Sequence, residues 1–277
     1  MKNFIFILII SSLFGLYSCD QIGAPYTEDS KVEVDTTARK VLLEEFTGFR
    51  CGNCPEAGEK AHGIVDNSNG RVILMSIHAG ALADPSPARS YNFKTEVGND
   101  IASYFSLPAT PFGLVNRVAY NGATLLSPTV WETVANIEST KPAYVKLALE
   151  ANYNTASREM EVNVKMNFLQ QVSQKLNVVA YIIEDSIIQY QKDDRHTTNP
   201  NIEDYNHMNV LRGSMNGSWG ELISDTQISA KTELNKTLKY TIAANKDWKP
   251  KDISIIVAIL NPENKEVQQV EKIKLIK

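Results

Sequence analysis

Two cysteines three residues apart, Cys51 and Cys54, constrain the fold of this chain more than any other feature. They follow a compact apolar run, residues 41–46, and precede a stretch with apolar residues at near-helical spacing. This pattern predicts a strand, a short loop and a dithiol at the start of a helix. A helix N-terminus stabilises negative charge, and the thiolate is the reactive form of cysteine. We therefore expect Cys51 at the exposed end and Cys54 one turn deeper, placed to resolve a mixed disulfide on Cys51.

Two other uses of the cysteine pair stay open. A structural zinc ion needs four ligands, of which the pair supplies two. His62 and His78 would have to supply the rest, although one lies on the following helix and the other at a strand end, where a surface role is the more common one. A permanent structural disulfide is the second alternative, yet a bridge that closes so short a loop restrains little chain entropy. We predict no metal and no other cofactor.

Two further features lie where exchange chemistry would use them. Glu45 ends the first strand six residues before Cys51. Buried beneath the dithiol, its carboxyl group would have a raised pKa and could relay a proton for Cys54, whereas a plain strand-end glutamate is the alternative. Thr110-Pro111 directly precedes an apolar run, residues 112–118. A cis proline there would present the Thr110 backbone beside Cys51 for pairing with a substrate strand.

The hydrophobic periodicity changes along the chain. In residues 40–141 short apolar strands alternate with helical stretches, among them residues 90–105 and a helix opened by Ser127-Pro128, which predicts an α/β domain. From residue 142 to 277 strands follow one another without helices, which predicts an antiparallel β-sandwich, Ig-like or jelly-roll-like.

One long polar segment, residues 191–225, fits neither pattern clearly. Its acidic and histidine side chains could form a cation site, but they lack a fixed ligand spacing, so a solvated loop is favoured. These side chains are Asp193, Asp194, Glu203, Asp204 and His207. Trp219, between two glycines, is either an exposed aromatic tip or a core anchor for the loop.

The first residues predict export and anchoring. Residues 1–18 combine a short positive start with an apolar run too short to span a bilayer comfortably, and Leu-Tyr-Ser before Cys19 is typical of a lipoprotein cleavage site. We expect Cys19 to carry lipid and residues 19–39 to form a flexible tether to the membrane. The alternative is an ordinary secretory signal that leaves Cys19 as a free thiol.

Composition excludes several function classes. The formal net charge is −4 and no basic block occurs, so nucleic acid is not an expected partner. Phosphate-binding loops, nucleophile-elbow motifs and paired catalytic carboxylates are not found, which leaves hydrolases and nucleotide-dependent enzymes without support.

The strand, the C-x-x-C at a helix start, the upstream carboxylate and Thr110-Pro111 together resemble the thioredoxin-like superfamily over residues 40–141. That resemblance implies a nucleophilic Cys51, a resolving Cys54, substrate-backbone binding by Thr110 and Pro111, and proton relay by Glu45.

The stretches F-T-G-F-R-C-G-N-C-P-E-A, P-A-T-P-F-G-L-V-N-R and Y-N-H-M-N-V-L-R resemble the outer-membrane protein Omp28 family of lipoproteins. This resemblance implies an outer-membrane lipoprotein with a thioredoxin-like domain followed by a β-domain, facing the periplasm or the cell surface. We predict thiol–disulfide exchange on envelope proteins. The alternative is a non-enzymatic binding or structural lipoprotein with a vestigial dithiol.

Overall fold

The computed structural model describes residues 38–276, which contain three α-helices and thirteen β-strands. The helices are α1 (Cys54–Asn67), α2 (Glu96–Tyr104) and α3 (Trp131–Ser139). The strands are β1 (Val41–Thr47), β2 (Val72–His78), β3 (Phe112–Val115), β4 (Val145–Asn154), β5 (Glu159–Phe168), β6 (Leu176–Glu184), β7 (Ile187–Lys192), β8 (Asn201–His207), β9 (Val210–Ser214), β10 (Glu221–Ser224), β11 (Glu233–Thr241), β12 (Ile253–Leu260) and β13 (Val267–Lys274). Over this part of the chain, every helix is too short or too polar to cross a bilayer.

An eight-stranded mixed sheet organises the molecule. Its strands run in the order β13-β12-β6-β9-β2-β1-β3, and β10 adds to β6. Strand β2 pairs in parallel with both β1 and β9, and the other pairs are antiparallel. All seven residues of β1 and of β2 are buried, as expected for parallel strands covered on both faces.

Both faces of the large sheet are covered. One face carries α1 and α3 at the β1–β3 end, and an antiparallel three-stranded sheet, β11-β5-β4, packs at the β6–β12 end. Helix α2 packs on the opposite face, in a core that runs from β1 and β2 to β6, β12 and β13. Alternate residues of each strand serve the two faces, so both cores are built from the same strands.

The boundary predicted between residues 141 and 142 falls between α3 and β4. Strands from both sides of it belong to the same eight-stranded sheet, and the described residues, 38–276, lie in one compact unit. The two halves share this sheet because one edge of β2 would be unpaired without β9, which comes from the second half of the chain and hydrogen-bonds to it. The residues predicted to form the signal peptide and tether, with Cys19, lie outside the described residues.

Two predicted helices are shorter than expected. Helix α2 begins at Glu96 because the Thr95 hydroxyl caps it, accepting a hydrogen bond of 2.9 Å from the Gly98 backbone N–H. The preceding residues are irregular and carry Phe93 onto the ring of His78. Helix α3 begins at Trp131 rather than at Ser127, because the residues between form a turn.

The polar segment 191–225 contains more regular structure than its composition indicates. Strand β7 ends inside it, β8 completes a two-stranded hairpin with β7, and β9 and β10 join the large sheet. Short or polar strands of this kind are fixed by pairing with distant residues, so their own sequence gives little sign of them.

Candidate functional site

Cys51 and Cys54 form a disulfide where β1 meets α1. Cys51 lies in the loop after β1, Cys54 is the first residue of α1, and their Cα atoms are 5.4 Å apart. Pro55 occupies the first helical turn, where its missing N–H costs no hydrogen bond. The prediction that Cys51 is exposed was wrong: both cysteines are 2% exposed. The hairpin of β7 and β8 packs on the cysteine loop, which the sequence did not indicate.

Thr110 and Pro111 lie beside the disulfide. The peptide bond between them is cis, and the Thr110 carbonyl oxygen is 3.7 Å from Cys51 Sγ. Strand β3 starts directly afterwards and pairs with β1, so the same sheet positions Thr110 and the cysteine loop. The buried Thr110 hydroxyl oxygen has no hydrogen-bond partner among the described residues.

Glu45 lies beneath the dithiol. Its side chain is buried, and Oε2 accepts a hydrogen bond of 3.3 Å from the Ser76 hydroxyl on β2. Removal from water disfavours the charged carboxylate and raises the pKa of Glu45 to about 7, against the smaller opposing effect of Ser76. Gly58 of α1 faces the carboxylate and leaves room for it.

A cavity of about 40 Å³ connects Glu45 with Cys54. It is large enough for a water molecule, which needs roughly 10–15 Å³. Ser76, His62 and Tyr205 also line it. Glu45 and the inner cysteine therefore share one small polar space.

His78 is buried rather than a surface group, which corrects the sequence expectation. It stacks on Phe93 with ring centroids 4.2 Å apart, and His207 lies 5.4 Å away. Burial lowers the pKa of His78 well below its usual value and that of His207 to about 4, so both rings are neutral near pH 7. Within residues 38–276 no three His, Cys, Asp or Glu side chains are placed to share a metal ion.

Three of the four acidic side chains named for the polar segment are paired with cations. Asp193 binds Arg195, Asp194 binds Lys192 at 2.7 Å, and Glu203 binds Arg89. His207 is separated from them by burial in the aromatic cluster. The cation site considered from the sequence is therefore not assembled by these residues.

Trp219 packs between an exposed aromatic ring and the core on the α2 side of the sheet. Its ring lies 5.1 Å from that of the exposed Tyr104. The guanidinium of the buried Arg117 lies 5.4 Å from the same ring, and Trp219 packs against the core of the α2 face. Of the two roles considered, this packing corresponds to the anchor.

Comparison with known proteins gives a family and a fold. The model of the family described as "Outer membrane protein Omp28" matches residues 99–277, more than half of the chain. No curated protein matches significantly.

Among solved structures, HBP35 of Porphyromonas gingivalis aligns with a TM-score of 0.63 and 17% identity, covering 86% of this chain and 76% of that one. Protein AGR_C_4864 from Agrobacterium tumefaciens aligns with a TM-score of 0.53 and 12% identity, covering 87% and 96%. A domain of the outer membrane lipoprotein Omp28 from Porphyromonas gingivalis is 21% identical over 48% of this chain and 89% of that one, with a TM-score of 0.33. The family match is the decisive finding, and the chain belongs to the Omp28 family of outer-membrane proteins.

Proposed function

We propose that this outer-membrane protein performs thiol–disulfide exchange on proteins of the cell envelope, through a thioredoxin-like arrangement of Cys51 and Cys54. The observation that carries the proposal is the convergence of three elements on one disulfide. The cysteines lie at the start of α1, the Thr110 carbonyl is 3.7 Å from Cys51 Sγ, and Glu45 shares a cavity with Cys54.

The exchange step follows from these positions. A partner thiolate attacks Cys51 Sγ, the Cys51–Cys54 bond breaks, and Cys54 leaves with the electron pair. With a pKa of about 7, the carboxyl group of Glu45 can donate a proton to the Cys54 thiolate near neutral pH. A second partner thiolate then attacks the mixed disulfide, which yields an oxidised partner and a Cys51 thiolate. The reverse sequence reduces a partner disulfide.

Thr110 and Pro111 supply the backbone against which a partner strand would align. Their position beside Cys51 supports a role in holding the substrate chain next to the attacked sulfur. This role, like the proton relay by Glu45, is part of the proposal.

Trapping tests the proposal directly. In a Cys54→Ser chain a mixed disulfide on Cys51 cannot be resolved, so we expect covalent complexes with envelope proteins on non-reducing gels, released by dithiothreitol. The Cys51→Ser/Cys54→Ser chain is the matched control and should give none. If Cys54→Ser traps no more protein than this control, the exchange proposal is wrong.

A second candidate is a binding role with a vestigial dithiol, which a surface pocket of about 550 Å³ favours. Its walls include Phe49, Tyr91, Tyr190 and the ion pair Arg89–Glu203, a mixture of aromatic and charged groups suited to a small polar ligand. A chain lacking both cysteines that fully restores a deletion strain would favour this candidate. Loss of complementation would favour exchange.

The lipid anchor on Cys19 belongs to the same proposal. Acyl chains on this residue would hold the domain at the outer membrane while residues 19–39 give it reach. We expect Cys19→Ala to move the protein from the membrane fraction to the soluble fraction, measured by immunoblot. Unchanged retention in the membrane fraction would contradict the anchor.

A further inference from the structure

The β7–β8 hairpin is tied to the cysteine loop through main-chain groups. Within the described residues its two strands pair only with each other. The Lys192 backbone N–H donates to the Phe49 carbonyl at 2.8 Å, and the Asp194 N–H donates to the Gly52 carbonyl at 2.9 Å. The loop that carries the disulfide is thus bonded along much of its length to a segment about 140 residues further along the chain.

Gln191, on β7, also binds the cysteine loop through its side chain. Its side chain is buried, and Nε2 lies 3.1 Å from the Cys51 carbonyl oxygen and 3.4 Å from that of Gly48. Each of these carbonyls also accepts a backbone N–H, from Cys54 and Cys51 respectively, and the glutamine amide adds a second donor to both. Gln191 therefore fixes the backbone on both sides of the turn that presents Cys51.

The far end of the hairpin is held by charge rather than by apolar packing. Arg195 binds both oxygens of Glu59 on α1 at 2.7 Å each, and it also binds Asp193. Residues 194–199 are exposed, whereas Ile187 at the base packs with Phe49 and Phe93. A hairpin with an apolar base and a polar tip can swing at its base when the few polar contacts of the tip are exchanged for water.

Asp194 places a negative charge on the loop. Asp194 Oδ2 occupies the space that a Cβ atom at Gly52 would fill, so the carboxylate rests against the residue after Cys51. Lys192 pairs with it at 2.7 Å. Lys192 offsets part of this charge, and the remainder opposes the formation of a thiolate nearby and so favours the disulfide over the dithiol.

From these contacts we infer that residues 191–195 are positioning residues of the disulfide loop, and that the hairpin is a clasp that must open before a partner reaches Cys51. The inference rests on the proposed exchange function and adds a step that regulates access to Cys51. In the closed form Cys51 is 2% exposed, which leaves an incoming thiolate no approach to its sulfur. Opening removes the cover and the Asp194 charge together.

The rate of disulfide reduction measures clasp opening without any biological partner. Dithiothreitol supplies both electrons: one of its thiolates attacks Cys51, the second closes the oxidised ring, and the protein dithiol is counted by alkylation and mass spectrometry. We expect Glu59→Gln to accelerate reduction about two- to fivefold, the range of an exposed ion pair. Glu132→Gln, an exposed glutamate on α3 away from the hairpin, should leave the rate unchanged.

Two hairpin variants separate positioning from plain destabilisation. Gln191→Met removes the side-chain donor that ties the Cys51 and Gly48 carbonyls to the hairpin, and we expect reduction about tenfold faster, from the worth of one or two hydrogen bonds. Asp194→Asn should shift the equilibrium with glutathione toward the dithiol by about two- to fivefold, whereas Asp204→Asn on the same hairpin should not shift it.

The outcomes distinguish the two proposals. If Glu59→Gln, Gln191→Met and the parent chain are reduced at one rate, the clasp is wrong, whatever the trapping experiment gives. If the variants are reduced faster, the clasp is supported even when Cys54→Ser traps no partner, because the hairpin then protects a structural bond. A Glu132→Gln rate that rises with the others would also overturn the clasp, since the effect would not depend on hairpin contacts.

Discussion

At the scale of single residues, Glu45 is the group whose chemistry the fold changes most. A glutamate at the end of a strand is ordinary in sequence, yet here it is enclosed by β1, β2 and α1 and accepts a hydrogen bond from Ser76. Desolvation keeps its carboxyl group protonated to about pH 7. A carboxylic acid in this state can both give and take a proton under physiological conditions, which supports the proposed proton relay to Cys54.

The raised pKa makes the stability of the oxidised protein depend on pH. Between about pH 4.5 and 7 the folded chain retains a proton that the unfolded chain has released, so the contribution of Glu45 to the free energy of unfolding falls as pH rises. Glu45→Gln prevents this fall in the free energy of unfolding, because glutamine does not ionise. We expect the variant to be more stable than the parent by about 2–3 kcal/mol at pH 8 and similar to it at pH 4.

Urea denaturation at pH 4, 6 and 8 measures this difference. Glu150→Gln on β4 is the matched control, because Glu150 is exposed and the substitution is the same. A stability difference for Glu45→Gln that does not vary with pH would show that burial does not govern this carboxyl group.

At the scale of elements, strong local patterns were readable and distant pairings were not. Strand β1 lies within one residue of the predicted apolar run 41–46, and α1 starts at the cysteine pair as predicted, because clear local patterns mark both. Residues 90–95 were predicted as helix because nothing in the periodicity shows that Thr95 is the cap. Strand β8 reads N-I-E-D-Y-N-H, mostly polar, and only its pairing with β7 makes it a strand.

The same distinction applies to the site. Cys51, Cys54, Glu45, Thr110 and Pro111 could be proposed from the sequence because they lie in or directly beside β1, the start of α1 and the start of β3, whose patterns are local. The burial of Cys51 could not be predicted, because the hairpin that covers it follows about 140 residues later in the chain. A buried glutamine whose amide reaches a loop carbonyl has no sequence signature, so Gln191 was missed.

At the scale of the whole molecule, one sheet contains strands from both of the domains predicted from the sequence. Glu44 on β1 and Arg117 after β3 form a fully buried bidentate ion pair at 2.7 Å, and Arg117 also donates to the Tyr181 hydroxyl on β6. The α2-side core likewise combines Leu42 and Ile77 with residues of β6, β12 and β13. We therefore expect residues 38–276 to unfold as one cooperative unit.

Hydrogen exchange in denaturant tests this cooperativity. Arg117→Met leaves Glu44 buried without its partner and should cost about 3–5 kcal/mol. The free energy of exchange should fall by this amount for the amides of β2 and for those of β12 alike, although Arg117 hydrogen-bonds to the backbone of neither strand. Lys165→Met, which removes an exposed charge on β5, should alter neither. Loss confined to β2 would mean that the two halves fold independently.

The contact between Gly52 and Asp194 has a consequence for how related sequences can vary. Because Asp194 Oδ2 occupies the space of a Cβ atom at position 52, any side chain there fits this closed hairpin only if residue 194 retracts or shortens. The dipeptide between the cysteines is thus restricted by a residue far along the chain as well as by redox chemistry. Substitutions at positions 52 and 194 are coupled, and one position limits what the other can become.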